Sequence, residues 1–97
     1  MYLAFYDIEI DRIRTRVADK LLRAGLERIQ YSVFFGPLTD TQKKKLLTDI
    51  EKIVGDLSKS NFLLIPLSPT NIENAYHCGE TPPDWEYLLG KQLTLII

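Results

Sequence analysis

Tyr2-Leu3-Ala4-Phe5-Tyr6-Asp7-Ile8 opens the chain with an apolar, aromatic run broken by a single carboxylate. A continuous run of this kind reads as a strand buried on both faces. Asp7 falls at the C-terminal edge of that strand, where open α/β sheets present their chemistry. Position alone makes Asp7 the first candidate for the centre of an active site.

Downstream of this strand, Glu9-Ile10-Asp11 makes a short polar bridge in which Asp11 is the expected helix N-cap. Ile13, Val17, Ala18, Leu21 and Leu22 then recur at helical spacing, predicting a helix over 12–24 that Gly25 stops. Arg12, Arg16 and Arg23 share one stripe away from that apolar face. Arg14 points instead into the apolar sector, from a first turn that lets it reach past the sheet edge toward Asp7.

Residues 26–36, LERIQYSVFFG, are rich in β-branched and aromatic side chains. They form either one long strand or two short ones reversing near Gln30-Tyr31-Ser32. Pro37-Leu38-Thr39-Asp40 ends this segment and starts a helix over 41–56, capped by Thr39 or Asp40. Its expected buried stripe is Leu46, Leu47, Ile50, Ile53, Val54 and Leu57. Lys43, Lys44 and Lys45 crowd its first turn, where the helix dipole disfavours cations; that placement suggests a role beyond stability. Residues 61–67 read as a strand with Pro66 marking an edge or bulge. Residues 68–90, punctuated by Pro and Gly, read as irregular, and 92–97 as a C-terminal strand that pairs at a distance, even with a second chain.

With two strands in the middle, the order is βαββαβ, an α+β ferredoxin-like sandwich with an extra C-terminal strand. The expected division is a core over 1–67 and a tail over 68–97. Two helices on one sheet face leave the other in need of cover, and a second subunit is the simplest cover.

Ninety-seven residues make one domain. Twelve Lys and Arg against thirteen Asp and Glu leave a net charge of −1, so bulk charge does not announce nucleic acid. The distribution is uneven: 1–67 carries eleven basic and nine acidic side chains, 68–97 one basic and four acidic. Cys78 is the only cysteine, which excludes an intrachain disulfide and any multi-cysteine zinc site. No basic region precedes a long apolar stretch, as a signal peptide would require, and no run approaches the ~18 residues of a membrane span. The expectation is a cytoplasmic protein with no membrane partner.

Asp7, Glu9 and Asp11 form the one close carboxylate cluster. Asp7 suits Mg²⁺ or Mn²⁺, hard cations that bind through one or two carboxylates plus water and phosphate oxygens. One Asp per chain is too little; two copies across a dimer axis suffice to activate water for phosphodiester hydrolysis. The competing reading is a solvated acid at a strand end. Arg12, Arg16, Arg23 and Arg28 either contact phosphates through their planar forks or line a solvated helix face. Arg14 is either an ion-pair partner of Asp7 or a clamp on the transition state. His77 beside Cys78 lacks a third partner, and Trp85 behind Pro82-Pro83 reads as an anchor for the tail. There is no glycine-rich phosphate loop.

Taken together, Tyr6-Asp7-Ile8, the R-x-R at Arg14 and Arg16, and the 25–34 run GLERIQYSVF resemble one family. The chain resembles the small CRISPR-associated endonucleases (Cas-two), the lesser partner of the spacer-acquisition pair, over about 1–67. The resemblance implies a ferredoxin-like homodimer whose C-terminal strand joins the partner's sheet. It implies a Mg²⁺-dependent (or Mn²⁺-dependent) endonuclease on single-stranded RNA or double-stranded DNA, in which Asp7 binds the metal with its symmetry mate. Tyr6, Arg14, Arg16, Arg28, Ser32 and Phe34 match family positions lining that cleft. It equally implies a scaffold that bridges CRISPR integrase (Cas-one) dimers and holds protospacer duplex without cutting it.

Overall fold

In the computed structural model, residues 1–84 are described, and they form β1 (Tyr2–Ile8), α1 (Asp11–Arg23), β2 (Glu27–Gln30), β3 (Val33–Gly36), α2 (Asp40–Val54), β4 (Ser60–Pro66) and α3 (Pro69–Glu73). The strands make one antiparallel sheet in the order β2-β3-β1-β4. β1 and β2 flank β3 and are joined through α1, the split βαβ arrangement of a ferredoxin-like fold. The expected Trp85 anchor and 92–97 strand lie outside the described residues. Among the described residues no helix is long and apolar enough to cross a membrane.

The 26–36 segment is two strands. Tyr31 and Ser32 make the turn, and the register between β2 and β3 slips by one residue between Arg28 and Gln30, a β-bulge.

α1 and α2 cover one face of the sheet. Ile13, Val17, Ala18 and Leu21 from α1 join Leu46, Ile50, Ile53 and Val54 from α2 over Ala4, Tyr6, Ile8 and Phe34 of the sheet. The expected double burial of β1 is corrected here. Alternation along the strand sends Ala4, Tyr6 and Ile8 into this core, whereas Leu3 and Phe5 are only half-buried and Asp7 is exposed on the opposite face. Leu22 and Leu47 leave the predicted stripes for solvent, at 50 % and 37 % exposure, because each lies at the rim of its helix's buried arc.

Local signals fix the helix ends. Gly25 adopts φ +96°, and the amides of Gly25 and Leu26 donate to the carbonyls of Leu22 and Leu21 in a Schellman closure. Asp11 is not the cap of α1 but its first residue; Ile10 occupies the cap position without a side-chain bond. Thr39 caps α2 in a reciprocal box with Gln42. The irregular reading of 68–90 is corrected at Ser68-Pro69-Thr70-Asn71. Ser68 and Asn71 form a second capping box with Pro69 in the first turn, and α3 follows. Its Ile72 packs on Phe35, Leu3 and Leu67, covering one end of the second sheet face. The other end, where Asp7 stands, has no such cover among the described residues.

Candidate functional site

β1 outlasts β3. Its last pairing with β3 joins Phe5 to Val33, after which the amide of Tyr6 donates to the Ser32 carbonyl at 3.2 Å. β4 continues alongside, setting Asp7 opposite Asn61 and Ile8 opposite Ser60. Asp7 therefore stands at a strand end flanked on one side, exposed, with no hydrogen bond or ion pair to its carboxylate among the described residues. The same face carries Leu63 and Ile65 of β4, which pair with Phe5 and Leu3 and are 52 % and 37 % exposed.

Arg14 does not reach Asp7. Its Nη1 donates to the carbonyls of Ile8 at 3.0 Å and Glu9 at 3.2 Å, and its Nη2 pairs with Asp11. Of the two sequence readings, the ion pair with Asp7 is not made, while the guanidinium still lines a cleft beside α1. The guanidinium is spent on stitching the end of β1 to the first turn of α1, which fixes where the strand stops and hence where Asp7 stands.

The remaining expected site residues sit on the helix side. Phe34 is fully buried, and the Tyr6 ring stacks on it at 6.2 Å between centroids with 26° between planes. Arg28, opposite Phe34 in the β2–β3 register, lays its guanidinium over Phe34 at 4.9 Å and over Tyr31 at 5.9 Å. Arg16 is exposed on the outer side of α1, and Ser32 is half-buried in the turn. A cleft of about 560 Å³ lies between α1 and this hairpin, with Tyr6, Arg14, Arg28 and Tyr31 among its lining. The predicted set thus divides: Asp7 is on the open face, Tyr6, Arg14 and Arg28 line a cleft on the other, and Phe34 is buried in contact with Tyr6 and Arg28. Sequence reasoning missed Tyr31, the exposed aromatic of this cleft, although its place in a predicted reversal near Arg28 was visible.

Among the described residues, Lys43 and Lys45 of the crowded lysines have partners. Lys43 lies 5.4 Å from the centroid of Tyr2, and Lys45 pairs with Asp49 at 3.3 Å. Asp49 also receives Lys20 from α1 at 3.7 Å. A hydrogen bond from Lys45, then the charges of Lys45, Lys20 and Lys52, hold the Asp49 carboxyl below its ordinary range against an opposing effect of burial.

Among the described residues, no cluster of three or more His, Cys, Asp or Glu that could hold a metal ion occurs around Asp7 or elsewhere. Asp7, an exposed hard oxygen donor beside Asn61, is the kind of ligand Mg²⁺ or Mn²⁺ takes, one or two carboxylates with water and phosphate oxygens filling the rest.

Over residues 1–75 the chain matches the family model described as CRISPR associated protein Cas2. It is 35 % identical over 78 residues to a CRISPR-associated endoribonuclease Cas2 of Pyrobaculum aerophilum, covering 80 % of this chain and 85 % of that one. A namesake from Archaeoglobus fulgidus is 37 % identical over 67 residues, covering 69 % and 70 % of the two chains. One from Chloroflexus aurantiacus is 50 % identical over 52 residues, which span 54 % of this chain and 61 % of that protein. The crystal structure of a hypothetical protein from Thermus thermophilus superposes with a TM-score of 0.68 at 26 % identity, covering 84 % of this chain and 92 % of that one.

Proposed function

Because the chain belongs to the CRISPR-associated Cas2 family, we propose that it acts in spacer acquisition as a homodimeric, metal-dependent phosphodiesterase. The carrying observation is the position of Asp7, an exposed carboxylate without a partner among the described residues, on the same sheet face as half-exposed Leu63 and Ile65. Closing that face against a second copy would bury the apolar rows and bring two Asp7 carboxylates toward one axis. Together they would hold one Mg²⁺ or Mn²⁺, which when bound supplies charge neutralisation at a phosphate and a more acidic water.

The chain's own residues divide the remaining work. Arg14 is a positioning residue, holding the β1 terminus through the Ile8 and Glu9 carbonyls. Tyr6 and Phe34 set the β1–β3 spacing from inside the core and carry Arg28 on their stack. Arg28 and Arg16, both exposed, bind substrate phosphates as planar donors. Expected partners are the second copy, the CRISPR integrase and nucleic acid.

A second reading, the non-cutting scaffold, has one observation in its favour. α1 and α2 carry nine Lys or Arg against five Asp or Glu, an excess of four positive charges on the layer facing away from Asp7, in a chain of net −1. Such a layer holds duplex backbone with no need of Asp7.

Cleavage of single-stranded RNA and duplex DNA by wild type and Asp7→Ala, with Mg²⁺, Mn²⁺ or chelator, separates the two. Metal-dependent cutting lost in the variant supports the nuclease. No cutting by either protein leaves the scaffold standing, and equal cutting by both removes Asp7 from the chemistry.

A further inference from the structure

Four planar groups form a column that runs from the core to solvent. Tyr6 stacks on Phe34 at 6.2 Å, the Arg28 guanidinium lies 4.9 Å from the centre of Phe34, and Tyr31 follows 5.9 Å beyond Arg28. The inner pair is buried; the last ring, at the turn between β2 and β3, is 73 % exposed. Exposing most of a tyrosine at the end of an ordered stack leaves a flat, amphipathic surface whose neighbour is a cation. The column borders the cleft between α1 and the hairpin, where exposed Leu22 and the stem of Thr15 face the same space. The two carboxylates lining that cleft are paired along their own helix, Asp11 with Arg14 and Asp19 with Arg23, so they repel an anion less than their number suggests.

The geometry points to a binding subsite for one unpaired nucleobase, stacked on Tyr31 as the next member of the column while Arg28 engages the adjoining phosphate. Aromatic side chains next to cations bind single strands this way, because every base offers a π face and its backbone a charge. A base inside a duplex has both faces occupied by its neighbours and cannot join the column without leaving its stack. The subsite therefore selects single-stranded nucleic acid over duplex. This inference rests on the reading of the chain as a nucleic-acid-binding protein but not on its cutting anything.

Binding without metal keeps the two apart. An unstructured RNA oligonucleotide, its DNA counterpart and a duplex of the same sequence, each carrying 2-aminopurine, are titrated in chelator with wild type, Tyr31→Phe and Tyr31→Ala. Wild type and Tyr31→Phe should alter the fluorescence of both single strands on binding. Tyr31→Ala should lose that signal and bind the single strands about 5- to 150-fold more weakly, the range for one lost base–aromatic stack. Duplex affinity should differ between wild type and Tyr31→Ala by less than about twofold, well below one lost stack. Equal losses on duplex and single strand, an unchanged single-strand affinity in Tyr31→Ala, or no single-strand binding by wild type each overturns the subsite. Duplex DNA cleavage in the separate Asp7 assay reads the nuclease without the Tyr31 subsite.

Discussion

Tyr6 and Asp7 are neighbours in sequence and look to opposite sides of the sheet: the Tyr6 ring is buried on Phe34 beneath the helices, while the Asp7 carboxylate is exposed beside Asn61 on the open face. One strand thereby ties a rigid core to a solvent-facing acid within a single residue step. A one-residue slip of β1 against β4 would bury Asp7 and expose Tyr6, so every contact that fixes the register also fixes the acid.

The first prediction follows from this division. Phe34→Ala removes a fully buried ring that touches both Tyr6 and Arg28 and should cost about 3–5 kcal/mol in urea unfolding. Asp7→Asn, at an exposed and unpaired position among the described residues, should change stability by no more than about 0.5 kcal/mol. A comparable loss in both would mean that Asp7 has a structural partner.

The helix stops and the βαββαβ order were legible because each rests on short-range physics: Gly25 at positive φ, a Thr39 cap, apolar runs parted by turn residues. The double burial expected of β1 failed because an apolar run cannot distinguish a strand covered on both faces from one covered fully on only one. α3 was hidden by Pro69, which reads as a breaker yet serves as a first-turn residue once Ser68 and Asn71 cap each other. At the site, Asp7 could be placed at its strand end from sequence. The loyalty of Arg14 could not, since the spacing that lets a side chain approach Asp7 also lets it reach the Ile8 carbonyl.

Asp49 supplies a pH signature. Its carboxyl is lowered in the folded protein, chiefly by the Lys45 hydrogen bond and then by the charges of Lys45, Lys20 and Lys52. A depressed folded value means that the unfolded chain binds the proton more readily, so this contribution is present above the ordinary value of 3.8 and is lost as the pH falls through the lower folded value. Melting curves of wild type and Asp49→Asn should differ at neutral pH and converge in acid below about 3.8, with the gap narrowing in high salt. A gap that persists into strong acid would assign the effect to packing.

Arg14→Lys keeps the charge but loses the fork. The planar guanidinium serves two carbonyls and Asp11 at once, and a single ammonium cannot reproduce that set. Stability should fall by about 1–2 kcal/mol. Hydrogen exchange at the amides of the turn between β1 and α1 should accelerate more than in the β1–β3 ladder. Uniform acceleration throughout the sheet would argue that Arg14 acts globally and not at the strand end.

Leu63 tests the second copy. It is 52 % exposed on β4, pairs with Phe5, and lies on the Asp7 face, away from the helices and clear of the Ile72 cover. In a lone chain Leu63→Lys should be nearly neutral, within about 0.5 kcal/mol, because the added ammonium stays in water. In a dimer closed over this face a two-fold axis would bring in two lysines and strip both of water, a cost of several kcal/mol. Light scattering should therefore find wild type as a dimer and Leu63→Lys as a folded monomer at the same concentration. Metal-dependent cleavage should fall with it, since each monomer keeps only its own Asp7. A Leu63→Lys protein that still scatters as a dimer would move the interface off this face, and with it the pairing of the two aspartates.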